Sequence, residues 1–139
     1  MVFAAKYPEK VEKLILNGGN TTPSGVKRQY QAEIEDEYAE ILSAQNLSKT
    51  QHNTQRKATM LEFLDLMINQ PDITTEELQK IGADTLVIVG TDDMIDPLHT
   101  EYIAKTLKHS TLKTLSGDHF IAYNSPKAFN AEILKFLTK

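Results

Sequence analysis

The sequence has 139 residues, enough for one domain with a core but marginal for a sheet with an additional subdomain. Its hydrophobic content of 40% and charged content of 24% are those of an ordinary globular protein, and its net charge of -4 argues against nucleic acid and anionic membranes as partners. The absence of cysteine excludes disulfides, a thiolate nucleophile and zinc–thiolate sites.

The first predicted elements are a short helix, a strand and a glycine turn. Residues 1 to 6 are apolar and compatible with a helix, which Pro8 ends because the residue before proline avoids the α region. The apolar run Val11 to Leu16 predicts a strand. The turn that follows, residues 17 to 20, is interpreted as a connector in which glycine takes a left-handed conformation, with backbone N–H donors for a ligand as the alternative.

Residues 26 to 69 are polar overall, yet their pattern predicts helices. The stretch Ser43 to Arg56 indicates a helix break or loop, Pro71 ends the second helix, and Thr74 with Glu77 forms a capping box for one further turn. Apolar side chains recur at helical spacing in two stripes, which either pack on each other or face a ligand. The stripes are Tyr30, Ile34, Tyr38, Ile41 and Leu42, and Met60, Leu61, Leu64, Met67 and Ile68.

A buried strand and a helix follow. Gly82 is predicted to close the preceding helix in a left-handed conformation. The β-branched run Thr85 to Val89, bounded by Gly90, predicts a strand covered on both faces. Asp96-Pro97 fits an N-cap with proline at the first helical position. The helix is expected to reach about Lys108 and to bury four side chains, Leu98, Tyr102, Ile103 and Leu107.

The last predicted elements are the strand Thr111 to Leu115 and a helix that starts at Ser125-Pro126. One apolar stripe on this helix is expected to pack against the sheet. Its members are Phe129, Ile133, Phe136 and Leu137. The whole pattern predicts an α/β protein with a short parallel sheet of about three strands.

An aspartate and a histidine follow neighbouring strands of this sheet. Asp92 and Asp93 come after the buried strand, and Gly117-Asp118-His119 comes after the next. Because parallel strands present their carboxyl ends at one edge, the acid and the histidine can converge there. A histidine of near-neutral pKa can take a proton from a hydroxyl, and a buried carboxylate can hold its tautomer. The alternative is a turn aspartate and a surface histidine.

These residues carry a resemblance to the α/β-hydrolase fold family. The turns from Gly90 to Asp93 and from Gly117 to Phe120 resemble the family's acid and histidine loops, in the family's chain order. Met1 to Leu16 resembles the helix and strand that follow its nucleophile elbow, and residues 21 to 80 fall where the family inserts a helical cap. The resemblance implies a three-layer partial hydrolase fold over 1–139, with Asp93 and His119 as catalytic residues. Asp93 rather than Asp92 matches the family's Gly-x-x-Asp spacing.

The sequence departs from this family in lacking the motif of the nucleophile. No Gly-x-Ser-x-Gly occurs in the sequence, which is expected to begin just after that motif. None of the serines sits on a strand-to-helix elbow flanked by glycines: Ser24, Ser43, Ser48, Ser110, Ser116 and Ser125. Ser24 is interpreted as part of a turn, and Ser116 lies too near His119 along the chain to face it. His52, His99 and His109 show no metal-ligand spacing, so neither a metal nor a cofactor is expected.

Two function classes remain open. The first is the C-terminal part of a serine hydrolase for an ester or small carbonyl substrate, inactive alone and completed by an upstream fragment that supplies the serine. The second is a non-catalytic module that self-associates. An open apolar edge at Val11 to Leu16 predicts a homodimer or higher oligomer there. No signal peptide or membrane span is apparent, so a cytoplasmic location without nucleic acid or membrane partners is expected.

Overall fold

Three parallel strands form one sheet in the computed structural model of the chain. The structure describes residues 1–44 and 51–138, and in the second range it describes side chains from residue 55 onwards. The strands are β1 (Lys13–Asn17), β2 (Asp84–Gly90) and β3 (Ser110–Leu115), in the spatial order β1-β2-β3. Leu16 pairs with Val87, and Val89 pairs with Thr114, in parallel register. The three predicted strands are therefore confirmed within two residues at their ends.

The helices are α1 (Val2–Lys6), α2 (Arg28–Ala44), α3 (Gln51–Asn69), α4 (Thr75–Lys80), α5 (Pro97–Thr106), α6 (Ile121–Asn124) and α7 (Pro126–Leu137). The chain divides into two compact units. The sheet unit comprises Met1–Thr21 with Ile73–Lys139, and the helical unit comprises Thr22–Asp72. The predicted cap-like insertion is 21 to 80, whereas residue 21 and residues 73 to 80 belong to the sheet unit. That the insertion corresponds to the family's helical cap stays a prediction.

Helices cover both faces of the sheet. On one face, Leu16 and Val87 pack with Ala4 of α1, Leu78 of α4 and Ile103 of α5. The opposite face has a second core. It is formed by Leu86 and Ile88 with Ile121 of α6 and Phe129 of α7. The central strand β2 is buried from Thr85 to Gly90, because it has a neighbour on each side and helices above and below. This is the predicted three-layer α/β arrangement.

Local capping signals account for two helix starts. The Thr74 hydroxyl accepts from the Glu77 N–H, and the Glu77 carboxylate accepts from the Thr74 N–H, so the predicted capping box is present. Asp96 accepts from the Leu98 N–H at 2.8 Å, and Pro97 occupies the first turn. Both boundaries follow from side chains only three residues apart, which explains why sequence suffices for them.

Two expectations for α5 and the helix before β2 were wrong. Leu98 is 75% exposed and Tyr102 is 36% exposed, whereas Thr100 is buried with the predicted Ile103 and Leu107, so the inward face is rotated from the predicted one. The helix ends at Thr106, two residues before the predicted end. Gly82 does not take a positive φ, because Ile81 already leaves the helix in an extended conformation and the chain runs directly towards β2.

The C-terminal helix follows its predicted stripe except at the end. Phe129 is buried, and Ile133 and Phe136 pack against the core that contains Ile88. Leu137, the last residue of the helix, is exposed. The short helix α6 was not predicted.

In the helical unit, α2 packs against α3. Leu61 and Leu64 are buried, whereas the stripe members Leu42, Met60 and Met67 are exposed, so the predicted stripes are covered only in part. The predicted break from Ser43 to Arg56 is narrower than expected, since α2 continues to Ala44 and α3 begins at Gln51. Residues 45 to 50 of that prediction lie outside the described residues.

Candidate active site

Hydrogen bonds join the loops that follow β2 and β3. The Thr91 N–H donates to Leu115 O at 2.8 Å, and the Asp92 N–H donates to Gly117 O at 2.9 Å. In return, the Gly117 N–H donates to the Thr91 hydroxyl at 3.2 Å. The two loops thus continue the pairing of their strands beyond the sheet, which brings their side chains to one edge.

Two glycines allow the loops to approach this closely. A Cβ atom at Gly90 would lie 2.4 Å from the carbonyl oxygens of both Gly117 and Asp118, closer than such atoms can approach. Gly117 has φ +138°, and a Cβ atom there would lie 2.9 Å from Ile121 Cγ2. A larger residue at Gly90 would push the histidine loop away from β2, and one at Gly117 would push the loop against Ile121 of α6.

A third strand end contributes Gly18, just after β1. Its φ is +53°, and a Cβ atom there would lie 2.6 Å from His119 Nδ1 and 3.1 Å from Asp93 Oδ2. The Gly18 N–H donates to Ile88 O at 3.0 Å, so this donor is engaged by the sheet and not offered to a ligand. The sequence indicated the sharp turn but not its closeness to the acid and histidine. A glycine directly after a strand was the available signal.

Asp93 and His119 meet at this edge. His119 Nδ1 lies 2.8 Å from Asp93 Oδ1, with 2% of the aspartate side chain and 30% of the histidine side chain exposed. Asp93 Oδ1 also accepts from the Ile95 N–H at 3.0 Å. Asp92, by contrast, is exposed and its carboxylate accepts from the Thr91 hydroxyl. The structure thus brings together the two residues that the sequence singled out, while their catalytic role stays a prediction.

The electrostatics of the pair favour an ion pair. Burial of the Asp93 carboxylate raises its pKa, but hydrogen bonds from His119 and from backbone N–H groups outweigh that effect, so the pKa is lowered overall. For His119, the hydrogen bond to Asp93 raises the pKa, burial opposes it, and the charges of Asp93 and Asp118 add to the rise. Each partner therefore stabilises the charged form of the other.

The tautomer of His119 follows from its partner. An ionised carboxylate can only accept hydrogen bonds, so Nδ1 carries the hydrogen that points at Asp93. In the neutral ring, Nε2 is then the nitrogen with a lone pair. An imidazole held in this tautomer can accept a proton from a hydroxyl and later donate it.

The histidine loop is held by Asp118. Its Oδ1 accepts from the Phe120 N–H at 2.8 Å. Asn124 Nδ2 lies 3.1 Å from Asp118 Oδ1 and 3.2 Å from Oδ2. The Phe120 ring packs edge-on against the His119 ring, with centroids 5.6 Å apart. These contacts link the loop to the first turn of α6.

The remaining histidines do not join this pair. Thr21 donates its N–H to His99 Nε2 at 3.0 Å, so His99 acts as an acceptor for backbone. Burial lowers the pKa of His99, with a smaller opposing effect of the Asp96 charge. His109 is exposed, and the side chain of His52 lies outside the described residues. The described side chains include no group of three or more suited to hold a metal ion.

The serines among the described residues also lie apart from a strand-to-helix elbow flanked by glycines. Ser24 belongs to the single-turn 3-10 helix Pro23–Gly25, and its hydroxyl lies 2.8 Å from that of Thr22. This confirms the turn expected there. Ser116 is exposed next to Gly117, and Ser48 lies outside the described residues. None of the helices formed by the described residues is long and apolar enough to cross a membrane.

Solved structures share the fold of this chain. The chain matches MGS-M2, an α/β hydrolase enzyme from a Medee basin deep-sea metagenome library, with TM-score 0.68 and 23% identity over 99% of this chain and 60% of that one. The chain carries part of the α/β-hydrolase fold. A hydrolase from Oleispira antarctica, olei00960, has TM-score 0.69 at 12% identity over 98% of this chain and 59% of its own. The enol-lactonase from Burkholderia xenovorans LB400 has TM-score 0.60 at 18% identity, with 99% and 60% covered.

The α/β-hydrolase likeness is one of fold. The chain spans about 60% of the length of MGS-M2, and the acid-then-histidine order of its loops corresponds to the C-terminal part of the fold. No protein-family model and no curated protein sequence matches the chain.

Proposed function

We propose that Asp93 and His119 are the acid and base of a serine-hydrolase triad whose nucleophile lies outside the printed sequence. The observation that carries the proposal is the 2.8 Å contact between His119 Nδ1 and the buried Asp93 carboxylate, at the ends of neighbouring parallel strands. The α/β-hydrolase fold supports it, because that fold uses an acid and a histidine at this edge.

In this proposal, His119 Nε2 removes the proton of a serine hydroxyl as the serine attacks the carbonyl carbon of an ester or a related small substrate. Asp93 keeps Nδ1–H pointed inwards and stabilises the imidazolium as it forms. His119 then returns the proton to the leaving group, and a water molecule, activated in the same way, releases the acyl group. An enol-lactonase among the similar structures fits this substrate class without narrowing it further.

The chain alone is proposed to be inactive. The printed sequence contains no Gly-x-Ser-x-Gly, and without a nucleophile and oxyanion donors the largest contributions to rate enhancement are missing. The purified chain should neither turn over short p-nitrophenyl esters nor react with a fluorophosphonate probe. Covalent labelling of any of its serines, located by peptide mass spectrometry, would overturn this part of the proposal.

Completion by a second polypeptide tests the roles of the pair. The chain is mixed with a second polypeptide that carries a strand, a nucleophile elbow and the following helix of an α/β hydrolase. Esterase activity should appear, and His119→Ala should reduce it by about 10⁴-fold. The matched control is His109→Ala, which removes an exposed histidine of the same unit. Equal activity of both variants in the mixture would contradict the assignment of His119.

The second candidate function is a non-catalytic module that self-associates through β1. The observation that favours it is the position of β1 at the edge of the described sheet, paired only with β2. A strand edge with free backbone groups is usually covered by another chain. Light scattering at micromolar concentration should then give a dimer or larger assembly. A monomer would count against this candidate, and co-purification of an upstream fragment would favour the triad.

A further inference from the structure

The histidine loop contains a second carboxylate that the triad proposal leaves without a task. Asp118 directly precedes His119 and is exposed, unlike Asp93, which is buried. An exposed aspartate in a loop needs no partner, since water solvates it. Asp118 nevertheless forms hydrogen bonds with Phe120 and Asn124, which follow His119 in the chain, so its conformation is fixed by the protein.

The contacts of Asp118 fix the backbone on either side of the histidine. Its Oδ1 accepts from the Phe120 N–H, two residues ahead, and Asn124 of α6 approaches both of its oxygens. On the other side, Gly117 is hydrogen-bonded to Thr91 of the acid loop. His119 is therefore held between an anchor to β2 and an anchor to α6.

We propose that Asp118 is a positioning residue for His119, which anchors the histidine loop through Phe120 and Asn124 and adds a second negative charge to the loop that carries the imidazole ring. The proposal rests on the proposed function for its catalytic consequence only. Two carboxylates then act on one histidine from different loops. Asp93 does so by a buried hydrogen bond, and Asp118 by charge and by the shape of the loop.

The charge of Asp118 acts through solvent and should therefore be weak and sensitive to salt. Asp118 contributes to the raised pKa of His119 after the hydrogen bond and charge of Asp93. Salt screens interactions between exposed charges but screens buried pairs much less. The two carboxylates can thus be separated by ionic strength as well as by mutation.

Nuclear magnetic resonance titration of the histidine ring in the intact chain tests this, with His119→Ala used to assign the signal. In Asp118→Asn, which keeps a side-chain acceptor for the Phe120 N–H, the pKa of His119 should fall by less than in Asp93→Asn. The fall should be present at about 0.01 M salt and largely disappear at about 1 M salt. The charge-matched control is Asp92→Asn, which should leave the pKa of His119 unchanged.

A second variant separates the anchor from the charge. Asn124→Ala keeps the Asp118 charge, so the pKa of His119 should hold, while the Phe120 amide should exchange with solvent faster. The salt titration of the unaltered chain is independent of any folding defect and should show the exposed contribution directly. An unchanged pKa in folded Asp118→Asn at low salt would overturn the proposal. So would a pKa of His119 in the unaltered chain that does not respond to salt.

The same variants show whether a failure concerns Asp118 or the triad. In the completed enzyme, Asp118→Asn should move the acidic limb of the kcat/KM profile to lower pH, because the base is then neutral over a wider range. An inactive mixture with the expected ring titrations would contradict the triad and leave the role of Asp118 intact. An active mixture whose pH profile does not move would contradict the role of Asp118 alone.

Discussion

His99 and His119 are both half-buried histidines of the sheet unit, yet their surroundings push them in opposite directions. His119 points Nδ1 at the buried carboxylate of Asp93, and its pKa is raised chiefly by that hydrogen bond. His99 accepts a backbone N–H from Thr21, and its pKa is lowered chiefly by burial. The His119 ring therefore binds a second proton more readily than a free histidine does, whereas the His99 ring must stay neutral to keep its hydrogen bond.

The difference shows that the partner of a histidine decides its role, since burial is similar for both. The His99 ring accepts a backbone N–H and so has a structural role. It fixes Thr21, whose carbonyl accepts from the N–H of Ile73, the residue at which the sheet unit resumes. A ring that serves a buried carboxylate keeps its other nitrogen for chemistry.

The largest loss of unfolding free energy is expected at Gly18, which lies against His119 and Asp93. Gly18→Ala forces a side chain into a left-handed conformation and against His119 Nδ1, at a cost of about 2–5 kcal/mol. Urea unfolding measures the loss, and the ring titration of His119 should lose its upward shift. Gly19→Ala is the matched control, because its Cβ would make an ordinary 3.6 Å contact with Met1. Similar losses in both variants would contradict the argument.

Removal of the buried carboxylate charge comes next. Asp93→Asn should lower the pKa of His119 and cost about 1–3 kcal/mol of unfolding free energy, because backbone donors at Ile95 and Gly90 lose a charged acceptor. Asp92→Asn should change the unfolding free energy little, since Asp92 is exposed. Denaturant unfolding and ring titration of both variants measure the contrast. A His119 pKa that stays raised in Asp93→Asn would mean that another group carries the effect.

A smaller effect is expected when His99 loses its acceptor. His99→Leu keeps a similar volume but leaves the buried Thr21 N–H without its partner, which should cost about 1 kcal/mol, the low end for an unsatisfied buried donor. Amide exchange at Thr21 should accelerate, whereas the ring titration of His119 should not change. The control is His109→Leu at an exposed position. A change in the His119 titration would show that the two histidines are coupled rather than independent.

The smallest effect is the pH dependence of the unfolding free energy. The pKa of His119 is raised, so its contribution is present below about pH 6.5 and is lost as pH rises through the higher folded value. The pKa of His99 is lowered, so its contribution is present above about pH 6.5 and is lost as pH falls towards the lower folded value. The unfolding free energy should therefore rise with pH below about pH 6.5 because of His99, and fall with pH above about pH 6.5 because of His119.

Thermal or urea unfolding between about pH 5 and 9 isolates each slope by difference. The unfolding free energy of the unaltered chain minus that of Asp93→Asn should decrease as pH rises above about 6.5. The unfolding free energy of the unaltered chain minus that of His99→Leu should decrease as pH falls below about 6.5. The Met1 amine, whose pKa burial lowers, contributes alike to all variants and cancels. Equal slopes in both differences would contradict the opposed assignments.

Much of the fold could be predicted from local pattern. The β-branched run of β2, the capping box at Thr74 and the Asp96-Pro97 helix start depend on residues only a few positions apart. The inward face of α5 could not, because Leu98 and Ile103 are both apolar and only the packing against β2 and β3 decides which is covered.

The sequence by itself determined the candidate pair: an acid and a histidine, each after a strand of a parallel sheet, were expected at one edge because the ends of such strands lie together. Only the tertiary structure decided that Asp93 and His119 lie within hydrogen-bond distance, that Gly18 from a strand far away in sequence leaves room for their contact, and that His99 accepts a hydrogen bond from Thr21. The physical reason is distance along the chain. Hydrogen bonds and close approaches between residues dozens of positions apart depend on how the strands pack, and no local pattern contains that information.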